Sequence, residues 1–141
     1  MLRLSKRYPF SASHRLHSDD LSDAENERLF GKCNNPFGHG HNYVLEVAVS
    51  GETDPQSGML LARTELDRLV QRAVLDKVDH ANLNSDVPEM SGTVPTTENL
   101  ALFIARWLCE AWQEQFAGLP IRLDRVRIEE TARNTFEVTY G

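Results

Sequence analysis

The sequence predicts an α+β fold in which two helices cover one face of a four-stranded antiparallel sheet. Two observations support this class. Apolar and polar residues alternate in two segments near each end of the chain, and apolar residues recur at helical spacing in two segments between them. The predicted order is strand, strand, helix, helix, strand, strand, which is typical of helices packed on one side of an antiparallel sheet. At 141 residues, the chain is expected to form a single domain, residues 1–141.

The four strands are predicted over residues 3–15, 39–50, 121–131 and 135–140. The first is expected to break or bend near Pro9, and the last two to form a hairpin across Ala132 to Asn134. Two long irregular stretches are predicted over residues 16–37 and 78–95, and long loops inside a small domain are usually functional. The sheet face opposite the helices has no cover from the chain itself, which favours oligomerisation.

Threonine residues are expected to cap both helices. Thr64, with Asp67 three residues later, predicts the start of the first helix. Thr96 or Thr97 predicts the start of the second, whose apolar stripe leads to a stop at Gly118 and Pro120.

Composition narrows the class of protein. The net charge of −6 argues against nucleic-acid binding. The longest apolar stretch, residues 100–112, is interrupted by Arg106 and Glu110 and is too short to span a bilayer. There is no signal-peptide core, and two cysteines do not make a disulfide framework, so we expect a cytosolic protein with free thiols.

Three histidines predict a metal site. His39 and His41 are two residues apart on a predicted strand, so their side chains share a face and can bind one ion. His14 lies near the end of the first strand. Three neutral nitrogen ligands and an open fourth position are typical of a catalytic zinc.

Several other side chains are candidates for proton transfer. Cys33 precedes the histidine strand, and a thiolate is a good base when nearby cations such as Lys32 lower its pKa. The alternative interpretation is a fourth zinc ligand or an inert loop thiol. In the neighbouring pair Asp79 and His80, a carboxylate beside a histidine can orient it. Cys109 falls within the second helix and is interpreted as a packing residue.

Glu130 is a candidate for ligand binding. Along its strand it shares the face of Val126 and Ile128, whereas Glu129 points the other way. A carboxylate on an apolar face needs a partner, either a ligand with two adjacent N–H donors or an arginine from a neighbouring strand or subunit.

At these positions the chain resembles the 6-pyruvoyl-tetrahydropterin synthase family. The matching segments occur in the family's order and cover nearly the whole chain: Phe10 to Leu16, Gly31 to Tyr43, Asp79-His80 with Leu83-Asn84, Pro95 to Ala101, and Glu130-Thr131. The most specific is Cys33-Asn-Asn-Pro36 followed by Gly38-His-Gly-His-Asn-Tyr43.

The resemblance implies a fold, an assembly and a reaction. Subunits of this family join their sheets into trimeric barrels, and two trimers form a homohexamer with active sites at subunit interfaces. The implied reaction converts 7,8-dihydroneopterin triphosphate to 6-pyruvoyl-tetrahydropterin with loss of triphosphate.

The resemblance also implies a role for each candidate residue. Zn²⁺ is bound by His14, His39 and His41. Cys33 acts as the base, and His80, oriented by Asp79, relays a proton. The pterin ring is held by Glu130 with groups around Thr96 and Thr97, and Glu98 is a weaker candidate. Arg15 and Lys32 are suggested for the triphosphate.

Three other functions are considered. The nearest is 6-carboxy-tetrahydropterin synthase of queuosine biosynthesis, which uses the same substrate. A zinc-stabilised binding module without turnover would not need Cys33, Asp79 and His80. A dihydroneopterin aldolase on the same fold would favour a glutamate where this chain has Cys33.

Overall fold

The computed structural model describes all 141 residues and contains one five-stranded sheet with the strand order β3-β1-β2-β4-β5. Its strands are β1 (Leu2–His14), β2 (His39–Gly51), β3 (Ala81–Asn82), β4 (Ile121–Thr131) and β5 (Asn134–Thr139). The four long strands are antiparallel, as predicted, and β3 runs parallel to β1. The prediction of four strands missed β3 because two residues are too few to show a periodicity.

The structure has three helices where two were predicted. They are α1 (Asp23–Phe30), α2 (Arg63–Val70) and α3 (Thr97–Gln115). Helix α2 continues through a π-helical segment (Gln71–Leu75) into a last turn (Asp76–Val78), and 3₁₀ turns cover Gly31–Asn34 and Pro88–Met90. Helix α1 lies in the predicted loop and was missed because only one of its residues, Asn26, is buried, so it has no apolar stripe.

Helix starts depend on contacts that the sequence reveals only in part. Thr96 caps α3, since its hydroxyl accepts a hydrogen bond from the Asn99 amide, 3.1 Å away. The predicted cap at Thr64 is wrong, because α2 follows Ala62 without a side-chain cap. The carboxylate of Asp67 instead accepts hydrogen bonds from Lys6 and Tyr8.

Helices α2 and α3 pack on the inner face of the sheet, where the side chains of alternate strand residues form one continuous apolar cluster. Strand β1 is continuous through Pro9, contrary to the predicted break. Proline is tolerated there because β3 pairs with β1 only at Ala12 and Ser13, leaving that edge open at Pro9. No helix is both long and apolar enough to span a lipid bilayer.

The outer face of the sheet, opposite the helices, carries ion pairs. Glu46 lies 3.3 Å from Arg7, 3.1 Å from Arg125 and 4.0 Å from Arg127. Arg7 also reaches Glu129 at 3.1 Å. This face is charged and internally paired, so it does not require apolar cover. The prediction of an oligomer therefore rests on the family resemblance.

Candidate active site

The candidate site lies where the end of β1 meets the start of β2. His14 pairs with His39 across these strands, and Ala12 pairs with His41. The His14 and His41 Nε2 atoms are 3.1 Å apart, and the Cys33 sulfur is 4.0 Å from His41 Nε2. The three potential ligand atoms all lie within 4.8 Å of one another, so the metal group of this structure is His14, Cys33 and His41.

Local backbone contacts bring Cys33 to the histidines. The Leu16 amide donates to the Cys33 carbonyl at 2.6 Å, and the Asn34 side chain donates to the Leu16 carbonyl at 2.8 Å. Gly38 has φ +81°, and a Cβ there would meet the His14 carbonyl oxygen at 3.2 Å. Glycine therefore lets the loop close against β1.

The two histidines of the group are suited to bind a metal. Burial lowers the pKa of His14 and of His41, which favours the neutral imidazoles that serve as ligands. The Pro95 carbonyl lies 2.9 Å from His14 Nδ1 and fixes that nitrogen as the donor, leaving the Nε2 lone pair to face His41. Two nitrogens bound to one tetrahedral zinc lie roughly 3.3 Å apart, close to the 3.1 Å observed.

The surroundings of Cys33 disfavour the thiolate, which is the form that would bind a metal or act as a base. Burial raises its pKa, and the negative charge of Glu130 raises it further. The expected activation by Lys32 is not seen, so a thiolate at this position needs another positive charge nearby.

His39, the third predicted zinc ligand, lies beside the group but is not part of it. Its ring centroid is 4.6 Å from that of His41, and its side chain is exposed. Along with Arg15, His17, Lys32 and other polar residues, it lines a cleft of about 580 Å³ that has no hydrophobic lining residue. Asp23 and Glu27 of α1 also line this cleft.

Glu130 reaches the metal group from β4, as its strand register predicts. Its Oε1 atom is 3.7 Å from His41 Nε2, and its side chain is only 15% exposed. No arginine pairs with it, so the alternative of an arginine partner has no support within one chain. Glu129 points to the outer face, where it pairs with Arg7.

The buried hydroxyl of Tyr43 lies near Glu130 and near the hydroxyl of Thr97. Tyr43 is 1% exposed and Thr97 is 2% exposed, and neither hydroxyl forms a hydrogen bond of ordinary geometry. Burial and the charge of Glu130 raise the pKa of Tyr43, while the nearby Thr97 hydroxyl opposes this shift. Tyr43 follows His39 and His41 on the same strand face and is part of the apolar core.

Asp79 and His80 are held at the edge strand and are not brought to Cys33. The Asp79 carboxylate accepts from the Ser11 amide at 3.0 Å, and the His80 amide donates to the Ser11 carbonyl at 2.6 Å. His80 has φ 60°, and its ring is 3.6 Å from Asp79, with the side chain 83% exposed. No hydrogen bond or ion pair joins His80 to the metal group within one chain.

The fold and the site define an α+β protein with a histidine and thiol group suited to a metal ion. Residues 3–140 match the family model described as 6-pyruvoyl tetrahydropterin synthase, and the chain belongs to this family. It is 46% identical over 133 residues to the Homo sapiens 6-pyruvoyl tetrahydrobiopterin synthase, covering 94% of this chain and 87% of that protein.

Two further comparisons agree with this membership. The solved Caenorhabditis elegans 6-pyruvoyl tetrahydropterin synthase superposes with a TM-score of 0.86 at 43% identity, covering 99% of this chain and 96% of that one. A 6-carboxy-5,6,7,8-tetrahydropterin synthase from Haemophilus influenzae is 29% identical over 139 residues, covering 96% of this chain and 80% of the relative.

Proposed function

We propose that this protein is a zinc-dependent 6-pyruvoyl-tetrahydropterin synthase, a lyase that converts 7,8-dihydroneopterin triphosphate to 6-pyruvoyl-tetrahydropterin and triphosphate. The observation that carries the proposal is the convergence of the His14 and His41 imidazoles, the Cys33 thiol and the Glu130 carboxylate at one end of the sheet. The 46% identity to a relative named for this activity supports the same reaction.

The zinc ligands in this proposal are His14, His39 and His41. His39 is directly opposite His14 in the strand register and shares the face of His41, so a change of side-chain rotamer would bring it to the group. The Cys33 sulfur, 4.0 Å from His41 Nε2, is farther than the roughly 3.6 Å expected between sulfur and nitrogen on one tetrahedral zinc. Cys33 is assigned as a base beside the metal, the role that the family resemblance implies.

In this proposal, Cys33 and His80 carry out different proton transfers. A bound zinc ion would polarise the side-chain oxygens of the substrate and would favour the thiolate of Cys33. Cys33 removes and returns protons at the side-chain carbons. His80, oriented by Asp79, relays a further proton, and its exposure in one chain is consistent with a site completed by a second subunit.

Glu130 accepts hydrogen bonds from two adjacent N–H groups of the pterin ring, and Thr96 and Thr97 contribute from the start of α3. The hydroxyl of Thr96 is committed to capping that helix, so its contribution is through the backbone. The polar cleft beside His39 is suited to the triphosphate through Arg15 and Lys32, with Asp23 and Glu27 at its α1 side.

We further propose that the chain acts as a single pterin-synthase domain, in the cytosol, as a homohexamer formed by two trimers. Its partners are then the small-molecule substrate and other copies of itself, with no nucleic acid and no membrane. The polar, ion-paired outer face is compatible with a barrel interior that contains water.

The alternative function is 6-carboxy-tetrahydropterin synthase, and the product distinguishes the two. Pure protein with zinc is incubated with dihydroneopterin triphosphate without a reductase, and pterin products and acetaldehyde are measured. We expect a 6-pyruvoyl pterin without acetaldehyde. Stoichiometric acetaldehyde with a 6-carboxy pterin would assign the chain to the carboxy-forming branch.

A further inference from the structure

Arg15 is held in a defined position at the wall of the polar cleft. Its amide donates to Asn84 Oδ1 at 2.7 Å, and its carbonyl accepts from Asn84 Nδ2 at 2.9 Å. In its side chain, Nε donates to the Asn34 carbonyl at 3.3 Å, and Nη2 lies 3.3 Å from His17 Nδ1. Neither side-chain partner is a carboxylate, so these contacts orient the guanidinium without neutralising its charge.

The contacts of His17 determine which of its ring nitrogens carries the proton. An arginine side chain has only donors, so His17 Nδ1 accepts from Arg15. The Asn34 Nδ2 atom lies 3.1 Å from the same Nδ1, and it also donates to the Leu16 carbonyl at 2.8 Å, which identifies it as the amide nitrogen. His17 therefore accepts two hydrogen bonds at Nδ1 and carries its proton at Nε2, where the exposed Asp19 carboxylate lies 3.5 Å away.

We propose that His17 is a positioning residue, whose Nδ1 holds the Arg15 guanidinium in the orientation that binds the triphosphate of the substrate. The inference rests on the proposed function, which places the triphosphate in this cleft. A side chain as long as arginine loses conformational freedom when it binds an anion, and a neighbour that orients it beforehand reduces this cost. The N–H donors of Arg15 that the protein does not use remain free for phosphate oxygens.

The test compares two substitutions that separate the ring nitrogens of His17. His17→Asn places an amide oxygen at the position of Nδ1 and keeps the acceptor, whereas His17→Gln places its amide near the position of Nε2 and removes the acceptor. Zinc-loaded protein is titrated with neopterin triphosphate and with neopterin, which differ only in the triphosphate and whose aromatic ring prevents conversion to the tetrahydropterin product. The ratio of the two Kd values measures the contribution of the triphosphate. Arg15→Ala and the double variant Arg15→Ala with His17→Gln complete the set.

We expect the triphosphate to tighten binding to wild type, and His17→Gln to reduce this gain about tenfold, the effect of one weakened hydrogen bond to a charged group. His17→Asn should retain most of the gain. In the Arg15→Ala background, His17→Gln should cause no further loss, because a residue that acts through Arg15 has no effect once that side chain is removed. The Kd for neopterin and the zinc content should be the same in wild type and in both single His17 variants.

The possible failures are distinguishable. If wild type binds neither compound, both the proposed function and this inference are wrong. If wild type shows the gain but releases no triphosphate from 7,8-dihydroneopterin triphosphate, the proposed function is wrong and the role of His17 stands. Equal losses in His17→Asn and His17→Gln, or a further loss in the double variant, would contradict positioning of Arg15 through Nδ1. Weaker neopterin binding or lost zinc in His17→Gln would assign His17 a general structural role instead.

Discussion

At the scale of single residues, burial shifts the pKa values of the two histidines and the cysteine of the metal group. Desolvation lowers the pKa of His14 and of His41, which favours the neutral form that binds a metal, and it raises the pKa of Cys33, which favours the thiol. The same metal would therefore use the histidines and activate the cysteine. The ligand set and the role of Cys33 can be tested separately.

The first prediction concerns the ligands. His41→Ala and His39→Ala should each lose zinc, because two remaining ligands rarely hold a catalytic ion. His17→Ala is the matched control, since His17 lines the adjacent cleft but is not in the metal group. Zinc per chain is measured by elemental analysis after purification without chelator. Full zinc in His39→Ala would instead favour the set His14, Cys33 and His41.

The second prediction compares the two neighbouring glutamates of β4. Glu130→Gln should weaken pterin binding about ten- to a hundredfold, because a hydrogen bond to a charged group contributes about 1.5–3 kcal/mol. Glu129→Gln should change binding little, since Glu129 faces Arg7 on the outer side of the sheet. Dihydroneopterin titrations of both variants provide the comparison, and equal losses would contradict the assignment of Glu130 to the ring.

The strand alternation that identified the histidines and Glu130 was sufficient because register fixes which way a side chain points. It could not show that the metal group contains Cys33 and leaves out His39. The position of Cys33 depends on the fold of the loop before β2. Strand alternation also could not show that the buried Tyr43 hydroxyl lies near Thr97, because the two residues are distant in sequence.

At the scale of elements, α1 and the turn after it determine where Cys33 lies. Buried Asn26 holds this segment together: its side chain accepts from the Ser18 amide and donates to the carbonyls of Ser18, Leu21 and Ser22. Ser22 and Glu25 form a reciprocal capping box at the start of the helix. A polar segment with no apolar stripe is thus ordered by side-chain bonds to the backbone.

The third prediction follows from this arrangement. Asn26→Ala should increase amide hydrogen exchange across residues 18–34 and reduce turnover, because several buried backbone groups lose their partner. The strands should keep their protection, since Asn26 lies outside the apolar cluster. Glu27→Ala, on the same helix, is the control and should leave exchange unchanged. Equal exchange in wild type and Asn26→Ala would contradict the role given to Asn26.

Whether a helix or strand could be predicted depends on how long its pattern of apolar and polar residues repeats. The four long strands and two apolar helices were predicted because each repeats its period over many residues. Helix α1 was not, because its signal is the Ser22–Glu25 capping box rather than a periodicity. The N-terminus of α2 was misplaced because Asp67 bonds to Lys6 and Tyr8 of β1, a contact across 59 or more positions that local sequence does not reveal.

At the scale of the whole molecule, the separation of His80 from Cys33 within one chain raises the question of how many chains form a site. The fourth prediction is that Cys33→Ala and His80→Ala, each inactive alone, recover activity when unfolded together and refolded as a mixture. Sites that draw the two residues from different chains would recover up to about a quarter of wild-type activity. A mixture as inactive as its components would contradict a shared site.

The proposed reaction and the role of Cys33 are tested together by the rate of triphosphate release from dihydroneopterin triphosphate. This rate and the zinc content are measured on the same preparations of wild type, Cys33→Ala and Cys109→Ala. Wild type and Cys109→Ala should release triphosphate at similar rates, because Cys109 lies on α3 away from the metal group. Cys33→Ala should retain zinc and be slower by about a hundredfold or more, the loss expected for a general base. Turnover by Cys33→Ala at the wild-type rate, or no release by wild type loaded with zinc, would contradict the account.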